Sequence, residues 1–501
     1  MKGKKARIKD NPEGVCDLDK GFIIEGSPSY GEKFILLAKS SRYFQLLIGL
    51  TVIGFFLRFY NITFNSIWLD EAATYNFAHN SLADIWSITA EGEYNPPLFH
   101  WIEHFMLYFG NNELTLRFIP ALLGSLTIPL FYILGKEFFD RNAGIIAAAV
   151  LAFSQFHILY SQDARAYTTV LFFFSIALIF YMQALKTNDI RAWALSGIFS
   201  GLAFWTHFYV FIIIAGMYLF AIAVVLKNNP EKFSRLKNIG LSIVVFLVVT
   251  LPLLIVTINL FIIRTGAPPT YGIQGPGIIT ESIRQMLGMN ILPEIVLVIL
   301  FIIGLFQAFR TEKMKFSLIS AMILLTFIAS YFLSFAMPMI PRYLIFILPL
   351  FFVTIGYSYM PLWTLAKDRR VVYGLVILMV LISIPGLSGY YTHYTKEDWR
   401  GMAGALQGAT ADGDIVVVLP SYIGMPLTYY YSNQTDHTRL YPANTIAELE
   451  NINRMKGNNS IFYIMTPDIT AVNPSGEVVS WMQANTQYAG ERAGIYIFFL
   501  K

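Results

Sequence analysis

Residues 43–72 read YFQLLIGLTVIGFFLRFYNITFNSIWLDEA. The first half has no acidic residue. As a helix rising about 1.5 Å per residue it nearly crosses the roughly 30 Å apolar core of a bilayer. The last third changes character: Trp68 is followed by two adjacent carboxylates, Asp70 and Glu71. An ionised acid at a membrane boundary is costly unless it is paired or functional. What the rest of the chain does around this stretch decides between a solvated loop and a working site.

Working outward, apolar runs of similar length begin near Leu114, Ala143, Tyr167, Trp193, Phe208, Ile239, Ile291, Phe316, Tyr343 and Val371. With the first run that makes about eleven spans, the third and fifth short enough to be tilted or re-entrant. Composition agrees. Of 501 residues 55% are hydrophobic and only 14% charged, against about 25% charged in soluble domains. Mean hydropathy is +0.54. The net charge of +4 gives no footprint for nucleic acid, and the single cysteine, Cys16, allows no internal disulfide. The first forty residues are charged and lack an apolar signal core, so the first span reads as uncleaved.

Lys and Arg mark alternate connections: the N-terminal tail, Lys136/Arg141, Lys186/Arg191, Lys227 to Lys237, Arg310 to Lys315 and Lys367 to Arg370. Basic residues stay on the cytoplasmic side. The N-terminus is therefore expected inside, and an odd number of spans puts the C-terminal region outside. From about Tyr390 the chain turns mixed and polar. "TKEDWRGMAGALQ" and "TIAELENINRM" read as helices, the first with a capping box from Thr395 to Asp398, and "GDIVVVLP", "NSIFYIMTP" and "AGIYIFFLK" as strands. The expected fold is thus a polytopic α-helical membrane protein. It has a cytoplasmic tail (1–42), a membrane domain (43–389) and a small extracytoplasmic α/β domain (390–501). Asn61, Asn433 and Asn458 each open an N-x-Ser/Thr sequon on the outer side.

The first outer loop, 61–113, holds Asp70, Glu71, Asp84, Glu91, Glu93, Glu103 and Glu113 and no Lys or Arg. Long loops in compact proteins are usually functional. "SLADIWSITAEG" predicts a helix capped by Ser81, with Leu82, Ile85, Trp86 and Ile88 resting on the membrane surface. Asp70 has a bland reading as a helix cap and a sharper one as general base toward a hydroxyl. "LYSQDARAYTTVLFF" sets Asp163 and Arg165 at the outer end of another span. They read either as a local ion pair or as a second acid across an outer cavity, with Arg165 free for phosphate. Arg58, Arg117, Arg264, Arg284 and Arg342 are out of place on the outer side. About two of these five are expected to meet an anionic ligand, because the guanidinium fork suits phosphate. His207, His100, His104 and His157 read as structural. His100-Trp-Ile-Glu-His104 has helical His spacing but lacks a third ligand nearby. The acidic clustering leaves room for a divalent cation without defining one, and no cofactor is called for.

"FLRFYNI", "SIWLDEAATYNFA", "EYNPPLFHW", "LYSQDARAYTTVLFF", "PRYLIFILP" and "KEDWRGMA" occur in this order. Together they resemble the GT-C superfamily of polyprenyl-phosphate-sugar glycosyltransferases. The nearest branch is the protein O-mannosyltransferase and aminoarabinose transferase group (family 39, RgtA/B/C/D-like). The resemblance implies a membrane glycosyltransferase moving a sugar from dolichyl or undecaprenyl phosphate to a hydroxyl of a protein, lipid or glycan. Transfer would occur outside the membrane, with inversion. It implies Asp70 as catalytic base and Asp163 as the second acid. Glu71, Glu93, Tyr94, Arg165, Arg264, Arg342, Tyr343 and His207 would face substrate. Some members have Lys where Tyr94 stands, and many have His where Asn95 stands. These departures move the expected phosphate contact toward Arg264 and Arg342. A lipid-linked-sugar flippase, an oligosaccharide polymerase or ligase, and a non-catalytic receptor are the rival readings. The flippase should show repeated halves, and none is evident.

Overall fold

A computed structural model describes residues 38–93, 95–228, 231–368, 370–431 and 439–501. Tyr94, Cys16 and the Asn433 sequon lie outside the described residues. The first span, α1 (Arg42–Phe59), starts where the Ser41 hydroxyl accepts the Phe44 amide at 3.3 Å. Three helices of the 61–113 loop follow: α2 (Leu69–Ala78), α3 (Leu82–Glu91) and α4 (Pro97–Met106). Then come α5 (Glu113–Phe138), α6 (Arg141–Phe153), α7 (Gln155–Ser161), α8 (Tyr167–Thr187) and α9 (Ile190–Phe204). The remaining helices ahead of the sheet are α10 (Phe211–Asn228), α11 (Lys232–Thr265), α12 (Pro276–Leu287), α13 (Ile291–Thr311), α14 (Lys313–Leu333), α15 (Leu348–Tyr357), α16 (Met360–Ala366) and α17 (Arg370–Thr392).

Each of the eleven apolar runs is helical. Among the described residues nine are long and apolar enough to cross a membrane, and a tenth qualifies if α6 and α7 form one span bent by 59°. The eleventh, α9, has only 15 residues. The two short runs are thus a broken helix and a stub. Ser154 makes the break: it ends α6, and its hydroxyl accepts the His157 amide that starts α7.

α6 is buried from Ala143 to Phe153 and forms the hub of the bundle. Its small residues allow that. A Cβ on Gly135 would fall 2.5 Å from the Gly144 Cα, and one on Gly356 would fall 2.3 Å from the Ala143 carbonyl oxygen. In lipid, where no hydrophobic gain drives helices together, such close backbone approach supplies the packing. By contrast α11 and α13 expose Ile255, Ile258, Phe261, Ile295, Ile299 and Phe306, the surface a bilayer would cover.

The chain then builds a five-stranded sheet of order β2-β1-β3-β5-β4. β1 (Ile415–Leu419) pairs in parallel with β2 (Arg439–Pro442) and β3 (Ile461–Met465). β5 (Ile495–Leu500) runs antiparallel to β3 and to β4 (Gln487–Arg492). β1 is IVVVL with every residue buried, because helices cover both faces. Trp399, Met402 and Leu406 of α18 (Trp399–Ala409) pack on Val416 and Val418. On the other face Leu449, Ile452, Val478 and Met482 pack on Ile415, Val417 and Leu419. Strands β2 and β4 had no apolar signature, being short edge strands with mainly exposed side chains.

Two local expectations are corrected. Asp398 caps α18 directly, its Oδ1 accepting the Gly401 amide at 2.9 Å, so no box begins at Thr395. Ser81 caps α3 as expected, but Ile85 is buried and Trp86 lies 5.9 Å from Trp205. Ile85 and Trp86 thus pack on protein, while Leu82 of the same helix stays exposed.

The sheet unit sits on the 61–113 loop. Arg400 bonds Glu113 (2.6 Å) and the Thr63 carbonyl (2.8 Å), and the Tyr430 hydroxyl accepts the Ile67 amide at 2.8 Å. The Tyr429 hydroxyl donates to the Asn111 carbonyl. Loop and sheet unit are therefore on one side of the membrane helices.

Candidate functional site

The site grows from the N-terminus of α2. Trp68 is its N-cap residue, and Glu71 at the third helical position reaches back toward the Trp68 amide (3.5 Å). Asp70 and Glu71 then point to different fates. Glu71 is fully buried and is gripped by Arg117 of α5 through two bonds of 2.7 Å. The Ala164 amide donates a third bond (2.8 Å) and Lys396 a fourth (3.2 Å). Burial alone would push this carboxyl up. The Arg117 and Lys396 charges, with the Arg117 and Ala164 hydrogen bonds, hold it well below the usual carboxylate range instead. Arg117 also ties the loop by donating to the carbonyls of Ile62, Asn65 and Ser66.

Asp70 remains reachable. Its side chain is 26% exposed, and its Oδ2 accepts from Arg342 Nη2 at 3.1 Å. Arg342 comes from a 3-10 turn, Pro341–Ile347, between prolines. Its Nε donates to the Tyr167 hydroxyl (2.9 Å), and the guanidinium lies 5.2 Å from the Trp68 ring.

Asp163, in the loop after α7, is 1% exposed. Its Oδ1 accepts from Trp68 Nε1 (2.8 Å) and from Lys396 Nζ (3.0 Å). Burial first, opposed by Lys396 and assisted by the Glu71 charge, pushes its carboxyl up. Asp163 and Asp70 thus meet through one residue, Trp68, which bonds the first and lies under the cation paired with the second. Arg165 is buried and points back to α2, bonding the Asp70 carbonyl and the Thr74 hydroxyl (both 3.3 Å) and the Asn95 side chain (3.1 Å). Asn95 in turn donates to Glu93, so the acid joins the site through Asn95 and Arg165.

Tyr343 lies in an aromatic wall: 5.2 Å from Tyr209, 5.4 Å from His207 and 6.5 Å from Tyr167, ring to ring. Burial and the charges of Arg165 and Arg342 lower the His207 imidazole to about 3, so it is neutral. Arg264 donates to the Tyr271 hydroxyl at 2.9 Å, and that hydroxyl lies 3.5 Å from the Tyr343 hydroxyl.

The five arginines expected to be out of place therefore separate. Arg58 is buried on the carbonyls of Gly54, Leu151 and Ala152 and on His157. Arg117 is committed to Glu71, and Arg284 sits on Glu281 of its own helix. Arg264 and Arg342 face the aromatic wall. His104 bonds the Ala78 carbonyl (2.9 Å), apart from any ligand set. Among the described residues no three His, Cys, Asp or Glu side chains are grouped to hold a metal ion. Arg117 and Lys396 already supply positive charge to the buried acids.

Sequence reasoning missed Trp68 and Lys396 as members of this cluster, together with Tyr167. A lysine standing alone just after the last span, in a region otherwise sparing of Lys, was the available signal.

Residues 94–256 match the family model described as dolichyl-phosphate-mannose-protein mannosyltransferase. An uncharacterised protein of Aquifex aeolicus is 29% identical over 201 residues, 38% of this chain and 40% of that protein. The match thus spans well under half of that relative's length. In structure the chain is similar to ArnT from Cupriavidus metallidurans bound to undecaprenyl phosphate: TM-score 0.59, 12% identity, covering 91% of this chain and 97% of that one. It is also similar to the oligosaccharyltransferase AglB of Archaeoglobus fulgidus in complex with an inhibitory peptide and a dolichol-phosphate. There the TM-score is 0.55 at 14% identity, covering 92% of this chain and 74% of that one. The chain therefore has the GT-C fold over nearly its whole length, and its residues 94–256 carry the sequence pattern of the dolichyl-phosphate-mannose-protein mannosyltransferase family.

Proposed function

We propose that this protein is an inverting membrane glycosyltransferase that moves a sugar from a polyprenyl phosphate to an acceptor hydroxyl. The observation that carries the reading is the contrast between neighbouring acids. Glu71 and Asp163 are sealed and paired, while Asp70 is part-exposed and held on Arg342. A carboxylate kept accessible beside a guanidinium suits a base next to a leaving phosphate. The polyprenyl phosphates in the structures of the two similar proteins support the donor class.

In this reading the donor phosphate draws Arg342 from Asp70, with Arg264 as second cation. Asp70 takes the proton of the acceptor hydroxyl as that oxygen bonds to the anomeric carbon from the far side. The carbon–oxygen bond to phosphate breaks, and its electron pair leaves on the phosphate. Glu71, Arg165 and Glu93 hold α2 and its loop, while Tyr343, Tyr209 and His207 face the sugar. The alternation of Lys and Arg supports an outer side for the site and the sheet unit, with the N-terminus in the cytoplasm.

The test is incubation of the purified protein with a panel of polyprenyl-phosphate sugars and candidate acceptors. One donor is expected to be consumed with inversion at the anomeric carbon. A retained configuration contradicts the single displacement, and no consumption of any donor contradicts the donor class.

A further inference from the structure

Lys396 belongs to the segment that joins the last membrane helix to the outer sheet unit. This segment lies along the strand of loop that leads into α2. The Thr395 amide donates to Asn65 (3.0 Å), the Ser66 hydroxyl donates to the Glu397 carbonyl (2.6 Å), and the Trp399 amide donates to the Ser66 hydroxyl (2.9 Å). Held there, Lys396 is 12% exposed and bridges two fully enclosed acids, Glu71 at 3.2 Å and Asp163 at 3.0 Å. Its ammonium also lies 5.3 Å from the Trp68 ring, while Arg342 lies 5.2 Å from the same ring.

The charges need this lysine. Arg117 matches Glu71 with two bonds, so Asp163 has Lys396 as its cation. A buried carboxylate stripped of its cation either takes a proton or rearranges its partners. Asp163 also fixes Trp68, the residue from which the Asp70 helix begins.

We propose that Lys396 is a positioning residue for Asp70: it keeps Asp163 ionised and bonded to Trp68, and so sets the start of α2 and the place of Asp70 beside Arg342. The proposal rests on the reading of Asp70 as base. It also makes the outer unit part of the site, because any ligand that shifts the segment 395–400 shifts Lys396. The other titratable and charged groups around Asp163 are Glu71, Arg117, Tyr160, Tyr167 and Tyr390. Of these, Arg117 is fixed on Glu71 and cannot replace the lysine.

The test compares wild type with Lys396→Met, Lys396→Arg, Asp163→Asn/Lys396→Met and Asp70→Asn for sugar transfer from a polyprenyl phosphate across pH 5 to 9, with thermal unfolding followed in parallel. A misplaced base costs on the order of 100-fold in rate. Lys396→Met is expected to lose about that much kcat while donor KM stays within about threefold. Losing the cation shifts a neighbouring carboxylate by about one to three pH units. The acid limb of the Lys396→Met profile is therefore expected to move up by at least about one unit, and to return when Asp163→Asn is added. Lys396→Arg is expected to keep the wild-type limb. Wild-type kcat and profile in Lys396→Met overturn the proposal. So does an equal loss in the single and double variants at every pH. If Lys396→Met fails to fold, the same profile is read on Trp68→Phe, which removes the bond to Asp163: a limb and kcat at wild-type values overturn the proposal, and a kcat loss with wild-type donor KM supports it. Wild-type transfer by Asp70→Asn counts against the base itself and is a separate result.

Discussion

Glu71 and Arg117 show how one residue pair can hold a site without touching substrate. Both are buried, at 0% and 1% exposure, and removing one partner of such a pair costs about 3–5 kcal/mol. Glu71→Gln is expected to lose about that much stability, seen as a large fall in thermal midpoint in detergent. A midpoint equal to wild type contradicts the role. The buried neutral histidines add a pH dependence on the acid side. Burial, and the nearby Arg165 charge, lower His100 to about 3 from an ordinary 6.5. The folded state then binds fewer protons than the unfolded one between those values. The His100 contribution to stability is full above about pH 6.5 and is lost as pH drops toward 3. His100→Phe is expected to flatten the acid side of the stability curve over that window. These residue roles were only partly legible. The acids stood out by their position, but Lys396 pairs with Glu71 across 325 residues of chain. No local pattern encodes such a contact.

At the scale of elements, the loop between α11 and α12 carries Tyr271 to the aromatic wall and is pinned just beyond it. The Ile273 amide donates to the Met339 carbonyl (2.8 Å), and the Gly275 amide donates to the Ser334 hydroxyl (2.8 Å). Gly272 has φ +101°, and a Cβ there would lie 2.8 Å from the Met339 nitrogen. Both the left-handed backbone and the close approach require glycine. Gly272→Ala is expected to loosen the loop, raising donor KM several-fold while leaving the fold intact. Unchanged KM contradicts a role for the loop over the site. The membrane helices were legible because about 20 apolar residues in a row have few other uses. The bend at Ser154 was not, since its cause is a hydroxyl cap rather than a proline or glycine. The edge strands β2 and β4 were hidden because edge strands need no continuous apolar face.

The whole molecule places its sheet unit on the acidic loop, and the site lies at that junction. The two share a side of the membrane helices, which requires an even number of crossings between them. In a Cys16→Ser background, Arg454→Cys is expected to react with a membrane-impermeant maleimide in intact cells. Arg191→Cys is expected to react only after permeabilisation. The reverse pattern contradicts the proposed orientation.

The central claim is that Asp70 removes the acceptor proton, and Asp70→Asn tests it most directly. General base catalysis is worth about 10²–10⁴ in rate. Purified Asp70→Asn is expected to lose at least the lower of these factors in kcat for transfer from the polyprenyl-phosphate sugar while still binding the donor. Transfer at the wild-type rate would contradict the account.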